Sequence, residues 1–400
     1  MNVLMMTLLY PDECYQQTAA LSRSGMQNQI DSYQKSFREG IEACLGEDEA
    51  LQLVNSLPVG IFPLHYRKCI LPRTSYEDGR IEELGGINLP YIKQAMRQKR
   101  AEKAILRWAA ASEENRTVLV YTLYLPYLKA ICSVKKKYPD LRAAVIVTDL
   151  PNEYGLSSGR TGLLKKLERR MGDQQLQLCK QMDGFVLLTE QMAEVIPCNG
   201  KQKIVIEGLI RQGDAAEIPE AADQPFEVLY TGTLSPELGI QEMLEAFACM
   251  PDTHLRICGG GVMAQQVEQF AKQHGNIHFE GFVPHEKALA LQTQASALIN
   301  PRTPTGLFTR YSFPSKTLEY MRSGKPVICY KLDGIPDDYD AYLNYIPAAG
   351  AEGIRQAVQR LQEIPPQQRS RMGREARAYV LNRKNPKAQC ERLVEWLRLL

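Results

Sequence analysis

Short apolar runs alternate with longer amphipathic ones along most of this chain. That alternation points to a mainly parallel sheet with helices on both faces. Val3–Leu9, Val118–Leu123, Ala143–Val147, Phe185–Leu188 and Ile204–Glu207 read as strands. Gln27–Cys44 reads as a helix, with Ile30, Tyr33, Phe37 and Ile41 at spacings of three and four. Arg211–Gln224 is rich in Ala, Asp, Glu and Pro and has no hydrophobic period, so it reads as a linker. After it the alternation restarts. Strands are expected at Phe226–Tyr230, Leu255–Cys258, Ile277–Phe279, Ala297–Asn300 and Val327–Tyr330. Helices are expected at Gln241–Met250, Ala264–Gln273, Glu286–Gln294 and Ser315–Arg322, and Pro386–Leu400 reads as a final amphipathic helix. The pattern predicts an α/β chain of two Rossmann-like, doubly wound domains, residues 1–210 and 211–385. A cleft between two such domains is a usual place for a small ligand.

Composition narrows the function classes. The 400 residues suit two domains. Lys and Arg number 48 against 46 Asp and Glu, a net charge of +2, which argues against a dedicated nucleic-acid binder. The ten cysteines stand singly with no CxxC, as reduced thiols of a cytoplasmic protein do, and offer neither a disulfide framework nor a zinc site. Met1–Met6 has no basic region before its apolar residues, so no signal peptide is expected. The longest apolar stretch, Val118–Cys132, is broken by Pro126 and Lys129 and is too short for a membrane span.

Tyr311–Val327 carries the chemistry. It reads as loop, helix, glycine stop and buried strand, with Pro314 and Ser315 opening the helix and Gly324 and Pro326 ending it. A helix opening at Ser315 aims unpaired N–H groups and the positive pole of its dipole into the preceding loop, an arrangement that suits a phosphate. Lys316 adds a full positive charge in the first turn. Glu319, one turn from Ser315, offers a carboxylate for two adjacent hydroxyls such as those of a ribose. Together they describe a nucleotide diphosphate site.

Phe313–Val327 resembles the donor-binding signature of family 4 glycosyltransferases, which have the GT-B fold of two Rossmann-like domains facing across a cleft. Tyr230–Leu234, Gly281–Pro284 and Ala297–Pro301 are similar to further landmarks of that family. Asn55–Pro63 and Thr148–Pro151 resemble bacterial members that build surface polysaccharides. The resemblance implies a retaining glycosyltransferase that moves a sugar from a nucleotide diphosphate sugar to a glycan or lipid-linked acceptor, with no metal and no separate cofactor. It implies that Glu319 holds the ribose and that Ser315 and Lys316 bind the diphosphate. Gly232 and Thr233 let the diphosphate approach the first loop. Phe313 and Pro314 lie near the sugar, and Gly281 and Val283 near the base. The final helix, 386–400, is expected to pack back on the first domain.

Three positions depart from the family pattern. Tyr311 stands where a glutamate often contacts the donor sugar. No cation follows the first glycine loop, where Arg302, Arg310 or Lys316 would compensate. Thr148 stands where a histidine often precedes the aspartate. Asp149 is then the candidate for acceptor positioning or proton transfer, with a cap of the following turn as the plainer reading.

Other motifs point elsewhere. Gly259–Gly261 fits a dinucleotide fingerprint, with Glu280 placed as its ribose acid, and motivates an NAD-dependent oxidoreductase as an alternative. It follows the second strand of its domain rather than the first. A non-catalytic glycosyltransferase-like partner subunit is a further alternative, motivated by Tyr311, Thr148 and the missing loop cation. His274 and His278 are spaced i,i+4, but Gly275 argues against a helical metal pair. Lys165–Arg170, with Leu163, Leu164 and Leu167, and the cluster Val134–Tyr138 read as solvated faces. Their sharper reading is peripheral contact, through 163–170, with anionic lipid at the inner face of the membrane.

Overall fold

The computed structural model describes residues 1–111, 116–152, 162–211 and 225–400. Nearly all of the expected linker lies outside the described residues. The chain divides into two compact units, Met1–Leu209 with Pro386–Leu400, and Ile210–Asn385.

The first unit contains strands β1 (Asn2–Thr7), β2 (Ala50–Asn55), β3 (Ile70–Leu71), β4 (Thr74–Tyr76) and β5 (Ile81–Glu83). They are followed by β6 (Gly86–Ile87), β7 (Arg116–Tyr121), β8 (Arg142–Val147), β9 (Gly184–Leu187) and β10 (Gln202–Val205). Eight of these form one sheet, in the order β10-β9-β8-β7-β1-β2-β5-β4, while β3 and β6 make a small antiparallel ribbon. All neighbours in the large sheet are parallel except β4 and β5. β1, β7, β8 and β9 are buried on both faces, as a parallel sheet between helices requires. The apolar stretch Val118–Cys132 is not one element. It supplies most of β7 and then the helix Leu125–Lys135, joined through Thr122 at φ 59°.

The helix Pro386–Arg398 belongs to this first unit. It buries Cys390, Leu393, Val394 and Leu397 in a core shared with Val3, Met5, Phe37 and Ile41. Each such Leu or Val side chain contributes roughly 1.5–3 kcal/mol. Gly40 makes the approach of the helix Asn28–Glu42 feasible, because a Cβ there would lie 2.3 Å from the Pro386 carbonyl oxygen and 2.6 Å from Cys390 Sγ.

The second unit contains β11 (Glu227–Thr231), β12 (His254–Cys258), β13 (Ile277–Gly281), β14 (Ala297–Asn300), β15 (Val327–Cys329) and β16 (Leu343–Tyr345). The order is β13-β12-β11-β14-β15-β16 with every pair parallel. That is the doubly wound order 3-2-1-4-5-6, in which the strand order reverses between β11 and β14. Ligands of such sheets bind outside the carboxyl ends of the strands at this reversal. The helices are Ile240–Ala248, Ala264–Gln273, His285–Gln294, Ser315–Arg322, Ala351–Glu363 and Pro366–Arg383, besides the short Leu307–Arg310. Ser315–Arg322 starts right after the buried Pro314 and stops before Gly324, which sits at φ 76°. Among the described residues, no helix of either unit is long and apolar enough to cross a membrane.

Candidate functional site

Three loops meet at the carboxyl ends of β11, β12 and β13. Gly232 N–H donates to the Cys258 carbonyl at 2.9 Å, Leu234 N–H to Gly260 at 2.9 Å, and Gly259 N–H to Gly281 at 2.8 Å. Glycine is required here for space. A Cβ on Gly259 would lie 1.8 Å from the Gly232 carbonyl oxygen, and one on Gly261 would lie 2.3 Å from that of Leu234. The triplet Gly259–Gly261 therefore brings the loops after β11 and β12 together. Glu280, its proposed ribose acid, is already engaged by Arg256 at 2.6 Å and Lys287 at 3.3 Å, and these cations hold its carboxyl below the usual range. This gives the NAD reading no free acid at the expected place.

Gly232 has no positive φ. Its demand is again steric, because a Cβ would meet Tyr230 Oη at 2.9 Å. The Tyr230 hydroxyl in turn donates to the Thr233 carbonyl at 2.7 Å and fixes the loop from below. Thr233 is exposed. Gly281 ends β13 at φ 67° with open space around it, and Val283 is half-buried. Between them Phe282 is 87% exposed and turns an aromatic face to solvent.

The helix Ser315–Arg322 is pinned to the end of β11. Buried Tyr320 accepts the Thr231 N–H at 2.8 Å and donates to the Thr231 carbonyl at 2.9 Å. This places the helix beside the residue that precedes Gly232. Ser315 is exposed, and Lys316 and Glu319 are half-buried. Lys316 Nζ lies 3.5 Å from Glu319 Oε1 and 5.9 Å from the centre of the Tyr320 ring. Gln292 Nε2 donates to the same Glu319 oxygen at 2.7 Å and to Thr231 Oγ1 at 3.0 Å. Gln292 carried no sequence signal, being one of two glutamines at the end of the helix His285–Gln294.

Tyr311 is buried, with the Arg310 guanidinium 6.0 Å from its ring centre. The position thus holds a packed aromatic. Phe313 is buried against Tyr339 at 5.5 Å between ring centres, and Pro314 is buried beside it. Of the cations considered as substitutes for a loop cation, Arg310 pairs with Asp333 at 3.0 Å. Arg302 is buried, donates to Ser312 Oγ at 2.5 Å, and has its pKa drawn down to about 10 by burial. Lys316 sits on the helix that also bears Glu319. The structure thus brings Gly232, Thr233, Ser315, Lys316 and Glu319 to one end of the second unit's sheet.

Asp149 stands in the first unit, exposed after β8. It accepts the Thr148 hydroxyl at 3.2 Å, and Thr148 Oγ1 is 3.0 Å from that of Thr122. His274 caps the end of the helix Ala264–Gln273, whereas His278 is in β13 with its Nε2 3.4 Å from His254 Nδ1. Among the described residues no three His, Cys, Asp or Glu side chains group to hold a metal ion. In the second basic cluster Lys135 pairs with Asp183 at 2.5 Å.

Comparison with known proteins follows this division. The family model described as glycosyl transferases group 1 matches residues 213–379. Glycogen synthase of Mycobacterium tuberculosis is 30% identical over 141 residues, 32% of this chain and 32% of that protein. The chain thus spans about a third of the length of the curated relatives it matches. Sucrose-phosphate synthase from Thermosynechococcus elongatus has a similar structure, with a TM-score of 0.65 at 15% identity, covering 100% of this chain and 98% of that one. The lipopolysaccharide outer core galactosyltransferase WaaB in its apo form gives a TM-score of 0.62 at 12% identity over 99% of both chains. An E. coli trehalose-6-phosphate structure bound with UDP-2-fluoro glucose gives 0.63 at 8% identity, over 100% of this chain and 99% of that one. Residues 213–379 thus match a glycosyl transferases group 1 domain, and the fold of the chain is similar to that of these solved structures.

Proposed function

We propose that this chain is a retaining family 4 glycosyltransferase that moves a sugar from a nucleotide diphosphate sugar to a glycan or lipid-linked acceptor in polysaccharide biosynthesis. The observation that carries the reading is the pinning of Ser315, Lys316 and Glu319 to the end of β11 through Tyr320. Phosphate donors and a ribose acceptor then stand one helical turn apart, where a doubly wound sheet binds ligands. In the transfer, the bond from the sugar's anomeric carbon to the phosphate oxygen breaks as the bond to the acceptor oxygen forms. Negative charge grows on the departing diphosphate. Lys316 and the N–H groups at the helix start offset it, which is electrostatic stabilisation by preorganised donors. No metal is needed in this scheme. Asp149 is proposed for the acceptor side, to position the hydroxyl or take its proton. The family match and the fold support the transferase chemistry; the glycan or lipid-linked acceptor rests on the resemblance of the sequence motifs.

The test is release of nucleoside diphosphate from common nucleotide sugars, with glycans and lipid-linked sugars supplied as acceptors. Relatives named sucrose-phosphate synthase recommend sugar phosphates as a further acceptor class. Turnover with retained anomeric configuration is expected. No release with any donor and acceptor would favour the non-catalytic alternative, and nicotinamide turnover would favour the oxidoreductase.

Peripheral contact with an anionic membrane is proposed as well. Leu163, Leu164 and Leu167 in the helix Gly162–Cys179 are 83%, 62% and 48% exposed, and Lys165, Lys166, Arg169 and Arg170 are exposed around them. The face buried in the unit is a different one, marked by Gly172 and Cys179. Apolar residues flanked by cations suit an interfacial helix. Co-sedimentation with phosphatidylglycerol vesicles that is lost in Leu163→Glu/Leu167→Glu is expected; equal sedimentation of both proteins would refute it.

A further inference from the structure

Gln292 is 1% exposed. Both of its N–H bonds are committed, one to Thr231 Oγ1 and one to Glu319 Oε1. Thr231 Oγ1, having accepted from Gln292, donates to Tyr320 Oη at 3.3 Å. The chain of donors therefore runs in one sense, Gln292 to Thr231 to Tyr320, and it ends on the backbone of β11. Three elements are indexed by one amide: the end of β11 that leads into Gly232, the helix His285–Gln294, and the helix that bears Glu319. Gln292 and Lys316 both approach Glu319 at Oε1. Among the described residues Oε2 accepts no hydrogen bond, so it is the oxygen left to a ligand.

We infer that Gln292 is a positioning residue that sets the rotamer of the Glu319 carboxylate for the ribose hydroxyls of the donor nucleotide. The inference rests on the reading of Glu319 given above. A half-buried glutamate on an eight-residue helix has several rotamers. A buried donor 2.7 Å away selects one of them and fixes it against the loop that receives the diphosphate. The same geometry makes the site read a 2′-hydroxyl. Preference for ribonucleotides over 2′-deoxyribonucleotides then depends on Gln292 without Gln292 touching the nucleotide.

The experiment is titration calorimetry on the full chain with UDP, GDP and ADP and their 2′-deoxy counterparts, using Gln292→Met and Glu319→Gln. Methionine keeps the length and removes both hydrogen bonds. The wild type is expected to prefer the ribo form. In Gln292→Met, affinity for the ribo form is expected to fall about tenfold, the loss of one hydrogen bond to a charged group. Affinity for the deoxy form is expected to change less than about twofold. Equal weakening of both forms, or an unchanged ratio, overturns the inference. A ratio unchanged in Glu319→Gln overturns the ribose reading itself, so the two failures are distinguishable. Absence of binding by all three nucleotides in the wild type overturns both. If Gln292→Met does not fold, Thr231→Val, which removes the anchor of Gln292, must reduce the same ratio; an unchanged ratio there also overturns the inference.

Discussion

Replacing Gly259 with alanine tests whether the glycine triplet builds the site by close approach of two loops. The added Cβ would lie 1.8 Å from the Gly232 carbonyl oxygen, where ordinary contact begins at 3.4 Å. One backbone must retreat by about 1.5 Å to restore contact distance. Such a retreat strains the bonds from Gly232 N to Cys258 O and from Gly259 N to Gly281 O, each contributing about 1 kcal/mol. Gly259 also has φ 157°, a region that costs a side-chain-bearing residue about 1–3 kcal/mol. The expected loss is about 3–5 kcal/mol, large against the total stability of a domain. Gly260→Ala is the internal control, since nothing lies within 4 Å of its Cβ and its φ is not positive. That change should stay within about 0.5 kcal/mol. Urea unfolding gives both values. Nucleotide-sugar turnover should fall about 100-fold or more in Gly259→Ala, because the displaced loop misplaces the diphosphate by an ångström or more. Equal stability and equal turnover in the two variants would refute the steric account.

Lys316→Ala should slow sugar transfer by about 10²–10³-fold while nucleotide affinity falls less, as for loss of one preorganised donor to a leaving group; steady-state kinetics checks the split. Glu83 is buried in the first unit, where it accepts hydrogen bonds from Asn55 Nδ2, Leu57 N and Gly85 N, and burial pushes its carboxyl up to about 7. The unfolded chain ionises this group from about pH 4.5, so the folded state holds an extra proton between there and pH 7. The contribution of Glu83 is therefore full at low pH and is lost as pH rises through 7, by up to about 3 kcal/mol. The stability difference between wild type and Glu83→Gln, measured by urea unfolding from pH 4.5 to 8, should shift by that amount in that direction. Leu393→Ala, in the last helix, should cost about 2–5 kcal/mol in the same assay, and a cost under about 1 kcal/mol would show that this helix is dispensable to the first unit's core.

The parts of the fold written in local pattern were legible in the sequence. Ala264–Gln273, Ala297–Asn300 and Ser315–Arg322 form with the expected ends, because each is a clean period bounded by turn residues. β1 ends at Thr7 although the apolar run continues through Leu9. Beyond Thr7 side chains replace strand partners: Gln34 accepts the Leu8 N–H, Asn55 that of Leu9 and Asp31 that of Tyr10. The helix Ile92–Ala111 shows no clear apolar period, because its buried face includes Lys93 and Arg97. Their heads donate to the carbonyls of Val59 and Leu57, contacts distant in sequence. Pro366–Arg383 lacks a legible period for a related reason, since it buries mainly Gly373, Ala376 and Val380 and presents mostly polar side chains. In the candidate site, Ser315, Lys316 and Glu319 are proposed from helix-start chemistry. Gln292 offers no such local signal, because its hydrogen bonds form only once two helices and β11 have come together.

Whether Glu319 holds the ribose of a nucleoside diphosphate is read by thermal shift with UDP, GDP, ADP, dTDP and NAD, on the wild type and Glu319→Ala. A shift by at least one ribonucleoside diphosphate, none by NAD, and loss of that shift in Glu319→Ala are expected. A shift that survives in Glu319→Ala, or one produced by NAD alone, would contradict that role of Glu319.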